Sequence, residues 1–277
     1  MTHQFRQVDV FTEIPYFGNP VAVVLGADGL DTEQMQLFAG WTNLSETTFV
    51  LAPRAREADY LVRIFTPTRE LPFAGHPTLG TCHAWLEAGG RPAWAGQAVQ
   101  ECGAGLVAVR QTKAGLAFAA PPLLRSGPVE EPVAEHVARA LNITRADIVD
   151  IAWADNGPGW VAVLLAGADA VLALAPGTVD MDIGVAGPYP DGSPEALEVR
   201  AFTPQIGPPG EDPVTGSLNA SLAQWLLATG RITAPYVASQ GAALGRRGRV
   251  HISRDDDGQV WVGGGTVTCI SGAVELG

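Results

Sequence analysis

Short runs of β-branched and aromatic residues recur along the chain, separated by glycine, proline and polar clusters. They fall at Gln7–Thr12, Val21–Leu25, Thr47–Leu51, Tyr60–Phe65, Leu106–Arg110, Trp160–Leu165, Val199–Phe202, Val250–Ser253, Val260–Val262 and Val267–Ile270. This spacing predicts a mostly β protein with a few helices set between strands. One of those helices is capped by Asp31. Two more carry apolar residues nearly all round. Leu79, Cys82, His83 and Leu86 stand at i, i+3, i+4 and i+7 behind Pro77, and Gly89-Gly90 ends the segment. The second runs from Pro213 to Gly230, with Leu218, Leu222, Trp225 and Leu226 on one side and Ala220, Ala223 and Leu227 on the others. A helix without a polar face is buried inside something.

The chain repeats itself. Val62-Arg-Ile-Phe-Thr-Pro67 returns 137 residues later as Val199-Arg-Ala-Phe-Thr-Pro204, and His76-Pro-Thr-Leu-Gly-Thr81 returns 136 residues later as Asp212-Pro-Val-Thr-Gly-Ser217. Order, spacing and helical context agree, so two homologous halves are expected, each a strand, a Gly/Pro loop and a buried helix wrapped by further strands. The expected division is residues 1–120 and 121–277, near Pro121-Pro122, with the last strand free to cross back to the first half.

In each half the loop leads into a helix whose first amides lack internal partners and whose dipole is positive there. Such an end takes a carboxylate or phosphate without lysine or arginine. Seen alone, His76 and Asp212 read as helix caps, with Thr81 and Ser217 bonding locally. Their symmetric occurrence in glycine-containing loops (Gly75 and Gly80; Gly210 and Gly216) favours paired ligand-binding ends. The titratable groups differ between the halves, as acid/base work on an asymmetric substrate requires. Asn43-Leu-Ser-Glu46 puts Ser45 and Glu46 at a strand mouth. The matching place in the second half is read as Asp155–Trp160, which has no such glutamate. Read alone, Glu46 is a solvated loop residue.

Composition narrows the chemistry. The 277 residues are 47% hydrophobic and 17% charged, enough apolar side chain for a full core. The 33 glycines and 21 prolines fit many short elements and tight turns. A net charge of −12 argues against nucleic-acid partners, which draw on clustered lysine and arginine. Cys82, Cys102 and Cys269 are too scattered for a disulfide framework or a zinc site, and no His, Asp or Glu pair has helical spacing suited to zinc, so no metal is expected. The expected setting is reducing and cytoplasmic. The first residues lack a signal-peptide pattern, and the most apolar stretch, Trp160–Pro176, is broken by Asp169 and is too short to span a membrane.

Four motifs, in order, carry a family resemblance across nearly the whole chain. Val8-Asp-Val-Phe-Thr12 with Phe17-Gly-Asn-Pro20, Asn43-Leu-Ser-Glu46-Thr, Phe65-Thr-Pro67 with Glu70-Leu-Pro-Phe-Ala-Gly-His76-Pro-Thr, and Gly210-Glu-Asp212-Pro-Val-Thr-Gly-Ser217 resemble the phenazine biosynthesis PhzF-like family. The resemblance implies the diaminopimelate-epimerase-like α+β fold, in which two pseudo-twofold halves each wrap a β-barrel around a central helix and the active site lies between them. It implies a cofactor-independent isomerase that moves a proton between carbons of a small carboxylate, as in dihydro-hydroxyanthranilate isomerisation, and it suggests a homodimer. By that analogy Glu46 is the acid/base, Ser45, His76, Asp212 and Ser217 line the site, and Gly75 and Gly216 contribute backbone donors. A carboxyl enclosed by apolar walls is expected to titrate nearer neutrality.

Two alternatives remain open at this point: a small-carboxylate-binding protein of the same fold without chemistry, and an epimerase or racemase. Racemases of this fold carry a thiol in each helix-start loop, whereas Thr78-Leu-Gly-Thr81 and Val214-Thr-Gly-Ser217 have none. Glu101-Cys-Gly-Ala-Gly105 mimics a thiol motif but precedes a strand. His83 reads as a core or interface histidine. The segment Met181–Pro194 reads as a loop.

Overall fold

A computed structural model describes residues 1–204, 206 and 210–277. The chain divides into unit 1, Met1–Ala119 with Gly263–Gly277, and unit 2, Ala120–Val262. The segment from Gly263 onward therefore counts with unit 1. Unit 1 begins with β1 (Thr2–Val10), β2 (Asn19–Leu25), α1 (Thr32–Thr42), β3 (Glu46–Leu51), β4 (Tyr60–Phe65) and β5 (Glu70–Leu71). It continues with α2 (Gly75–Glu87), β6 (Gln97–Cys102), β7 (Gly105–Thr112) and β8 (Gly115–Ala119). Unit 2 holds β9 (Arg125–Pro128), α3 (Glu131–Ala140), β10 (Ile148–Asp155), β11 (Val161–Leu165), α4 (Ala168–Leu172), β12 (Ile183–Pro188) and β13 (Leu197–Phe202). Then come β14 (Glu211–Asp212), α5 (Gly216–Ala228), β15 (Tyr236–Gln240), β16 (Gly248–Arg254) and β17 (Val260–Gly264), whose last two residues already count with unit 1. β18 (Thr266–Glu275) lies in unit 1, antiparallel to β1.

The two units share one pairing scheme. In unit 1, β1 and β2 are antiparallel, β2 and β3 parallel, β3 and β4 antiparallel, β4 and β6 parallel, and β6 and β7 antiparallel. In unit 2 the same sequence of directions runs through β10, β11, β12, β13, β15 and β16. Within each unit one helix sits inside the strands. α2 packs on β1, β2, β3, β6, β7, β8 and β18, and α5 on β10, β12 and β16. Glycine permits the close approach. A Cβ on Gly80 of α2 would lie 2.3 Å from Val21 Cγ1. A Cβ on Gly184 of β12 would lie 2.0 Å from Leu218 Cδ1 of α5.

A second layer covers the outer sheet face. In unit 1, Met35 and Phe38 of α1 pack on Val24, Phe49 and Phe65, with Phe49 and Phe65 edge to face at 5.6 Å. Asp31 caps α1 by accepting from the Gln34 amide at 2.9 Å, as expected from its position. In unit 2, α3 and α4 pack on Ile151, Val161, Val163, Ile183, Val185 and Phe202. Strand alternation therefore sends Ile183 and Val185 outward and Gly184 inward toward α5.

Three expectations change. Residues 183–188, read as part of a loop, form β12. Gly184 and Gly187 resemble turn signals, but they are there because Leu218 and the Gly167 carbonyl occupy the space of their missing side chains. The two inner helices also start one turn apart. α2 already contains His76–Leu79, with Pro77 in its first turn, whereas the matching Asp212–Thr215 stays non-helical and α5 begins only at Gly216. Finally, Asp155–Trp160 is not the counterpart of Glu46. It joins β10 to β11, as Phe11–Gly18 joins β1 to β2.

Candidate active site

In unit 1, the ladder to β2 pairs Glu46, the first residue of β3, with Val21. Alternation along β3 turns Glu46 and Thr48 toward α2, and Thr81 of that helix donates to Thr48 Oγ1 at 2.8 Å. His76 is the second residue of α2 and only 5% exposed. Its Nε2 stands 3.3 Å from Glu46 Oε2, a close contact not aligned as a hydrogen bond. Nδ1 lies 3.3 Å from the Asn19 amide nitrogen, and the ring donates to the Pro20 carbonyl. Burial pushes the imidazole down to about 3, so His76 is neutral at pH 7. The neutral ring places no positive charge beside the Glu46 carboxyl. Ser45 precedes Glu46, and Gly75 precedes His76 as the first residue of α2.

Unit 2 holds Asp212, Gly216 and Ser217. Asp212 ends β14, buried to 8% exposure, and its Oδ2 accepts a short hydrogen bond from Thr215 Oγ1. Gln240, 1% exposed, ties this corner together. Its Nε2 donates to the Asp212 carbonyl at 3.2 Å and to Thr215 Oγ1 at 3.0 Å, while Oε1 accepts from the Thr215 amide at 3.0 Å and from Asn219 Nδ2 at 2.8 Å. The strand beneath is held by a bidentate pair, Arg200 to Glu211 at 2.9 and 2.7 Å. Thr215 occupies the N-cap position of α5, but its hydroxyl is turned to Asp212 and makes no cap. The first α-helical bond of α5 runs from the Asn219 amide to the Thr215 carbonyl, so the amides of Gly216, Ser217 and Leu218 precede the ladder. Ser217 Oγ accepts from Trp160 Nε1 at 3.2 Å, and its carbonyl accepts from Asn156 Nδ2 at 2.9 Å.

The expected residues thus form two local groups, Ser45–Glu46 with Gly75–His76 and Asp212 with Gly216–Ser217. Reading His76 and Asp212 as helix caps fails on geometry, since Ala74 and Thr215 hold those positions. His83 bonds Thr266 and Thr268 of β18 at 2.9 and 3.0 Å. Glu101 and Cys102 end β6 ahead of the turn into β7. Among the described residues, no group of three or more His, Cys, Asp or Glu side chains is placed to hold a metal, and no helix is long and apolar enough to cross a membrane. Sequence reading missed Gln240 and, in unit 1, Gln100, whose Nε2 donates to Thr78 Oγ1 at 3.0 Å. A glutamine within a strand carries no motif, and only its hydrogen bonds to the loop or helix start mark it.

This fold places the Glu46 carboxyl beside the buried His76 imidazole in the first of two related units. Comparison with known proteins gives the family. Residues 8–272 match the model of the family described as phenazine biosynthesis-like protein, and the chain belongs to it. It is 36% identical over 292 residues to Antisense-enhancing sequence 1 of Schizosaccharomyces pombe, covering 98% of each chain. Over 82 residues, 30% of this chain and 29% of the other, it is 56% identical to trans-2,3-dihydro-3-hydroxyanthranilate isomerase of Pseudomonas fluorescens. The crystal structure of a PhzF-family phenazine biosynthesis protein from Enterococcus faecalis superposes over 100% of both chains with a TM-score of 0.80 at 25% identity. The protein is an isomerase of this family.

Proposed function

We propose that the protein moves a proton between two carbons of a small unsaturated carboxylate, with Glu46 carrying the proton. The observation that carries this reading is the contact of Glu46 with a buried, neutral His76. In the ionised form Glu46 takes a proton from an activated C–H bond, the electron pair moves into the conjugated system, and the same carboxyl returns the proton to a second carbon. One C–H bond breaks and one forms, with no net oxidation. His76 stands against the carboxyl as a neutral ring, and Ser45 and the Gly75 amide contribute polar contacts to substrate.

Unit 2 offers binding groups of its own. The amides of Gly216 and Ser217, at the head of a helix, take the substrate carboxylate, and Asp212, fixed by Thr215, takes an amine or hydroxyl of the substrate. Dihydro-hydroxyanthranilate, the substrate in the name of the Pseudomonas fluorescens relative, has all of these features. A homodimer in a reducing compartment completes the proposal, consistent with three free cysteines. The test is to incubate the protein with trans-2,3-dihydro-3-hydroxyanthranilate and related unsaturated carboxylates in heavy water. Isomerised product with deuterium at the new C–H position is expected. Binding without any deuterium uptake across the set would overturn the reading in favour of a non-catalytic binder.

A further inference from the structure

Glu46 has a counterpart in unit 2, and the sheet registers identify it. In unit 1, Phe65 of β4 pairs with Thr47 and Ile64 with Thr48. In unit 2, Phe202 of β13 pairs with Ile183 and Ala201 with Gly184. Phe65 and Phe202 occupy the same place in the repeated Val-Arg-Ile/Ala-Phe-Thr-Pro segments. Thr47 therefore corresponds to Ile183, and the residue before each strand pair, Glu46 in one unit, is Asp182 in the other. The same 136-residue step links His76 to Asp212 and Thr81 to Ser217.

Asp182 is a carboxylate only 8% exposed. The Val161 amide donates to the Asp182 carbonyl at 3.0 Å, which extends the parallel ladder to this residue and sets it beside Trp160. Ile183 and Val185 face the outer core, and Gly184 faces Leu218 in the first turn of α5. Alternation then puts Asp182 on the inner face, the side on which Trp160 Nε1 reaches Ser217 Oγ. Asp182 and Ser217 thus belong to one neighbourhood at the head of α5.

We propose that Asp182 is a specificity-determining residue of this isomerase, a carboxylate that accepts a hydrogen bond from an amine or hydroxyl next to the substrate carboxylate bound at α5. The proposal rests on the reading of Gly216 and Ser217 as the carboxylate site. A side-chain oxygen acceptor set opposite a substrate N–H or O–H donor discriminates, because a ligand lacking the donor forgoes that hydrogen bond. The inner-face carboxylate is thus duplicated by the fold and put to two uses, proton transfer by Glu46 and donor recognition by Asp182.

Calorimetric binding of anthranilate and benzoate, which share the ring carboxylate and differ by one amine, tests this without turnover. The wild-type protein is expected to bind anthranilate at least tenfold more tightly than benzoate. Asp182→Asn is expected to weaken anthranilate at least tenfold and to leave benzoate within twofold. If the two acids bind wild type alike, or neither binds, the proposal is overturned with no variant needed. A gain in benzoate affinity in Asp182→Asn would also overturn it, because Asp182 would then be plugging the α5 amides. Deuterium uptake in the wild type is scored separately, so loss of the isomerase reading and loss of the Asp182 role are distinct results.

Discussion

Thr81 Oγ1 donates to Thr48 Oγ1 at 2.8 Å, both side chains being fully buried, and this bond pins α2 to β3 two residues beyond Glu46. Thr48 passes the chain of bonds on to the Ala22 carbonyl at 3.3 Å. The helix that carries His76 and the strand that carries Glu46 are therefore locked by polar groups in an apolar interior. Thr81→Ala leaves the Thr48 hydroxyl short of one partner, and a loss of about 1–3 kcal/mol in unfolding free energy is expected from urea titration. Turnover should fall as well, since the Glu46–His76 spacing depends on this contact.

The two halves provide a matched pair of arginine–glutamate clamps. Arg200 and Glu211 are buried, at 6% and 4% side-chain exposure, and Arg200 also donates to the carbonyls of Val171 and Leu174. Arg63 and Glu70 make the same bidentate contact at 20% and 40% exposure. Removing one partner of a buried pair leaves an uncompensated charge, so Arg200→Met should cost roughly 3–5 kcal/mol. Arg63→Met should cost about 1 kcal/mol or less, because water screens the exposed pair. Denaturant midpoints of the two variants check the difference.

His76 also makes stability depend on pH. Its folded-state value is pushed down to about 3, while in the unfolded chain a histidine titrates near 6.5. Below about 6.5 the unfolded state binds a proton that the folded state refuses, so stability is full above that pH and falls as the pH drops toward about 3. The slope from this one group approaches roughly 1.4 kcal/mol per pH unit within the window. Urea unfolding of wild type and His76→Asn at pH 7.5, 5.5 and 4.5 should show that slope in the wild type and its loss in the variant.

Much of this architecture is legible in the chain because hydrophobic runs, the two repeats and the proline and glycine brackets act locally. The helix at Gly75–Glu87 and the motif around Glu46 follow from such patterns. β12 does not, since Ile183–Pro188 holds two glycines and a proline that spell a turn. Its glycines answer to Leu218 and Gly167, residues distant in sequence, and only packing shows them as strand positions. Asp182 went unrecognised for the same reason. The starting points of α2 and α5 also escaped, because a proline in the first turn suits either a helix already begun or one about to begin.

The thiols should be silent. Burial pushes Cys82 up to about 12 and also raises Cys102 and Cys269. Iodoacetamide at pH 8 is therefore expected to label the folded protein slowly and to leave turnover intact, with all three cysteines reacting after unfolding in urea. Rapid inactivation that substrate prevents would instead put a thiol in the reaction.

The central claim is that one carboxyl in unit 1 carries the proton, and Glu46→Gln tests it most directly. The glutamine keeps the size and hydrogen-bonding reach of the side chain but cannot accept and return a proton. Deuterium incorporation from heavy water is to be measured by mass spectrometry for wild type and variant, with ligand binding and thermal midpoint recorded alongside. Loss of at least a thousandfold in exchange rate, with binding within a fewfold and an unchanged fold, is the expected result. Exchange by Glu46→Gln at the wild-type rate would contradict the account.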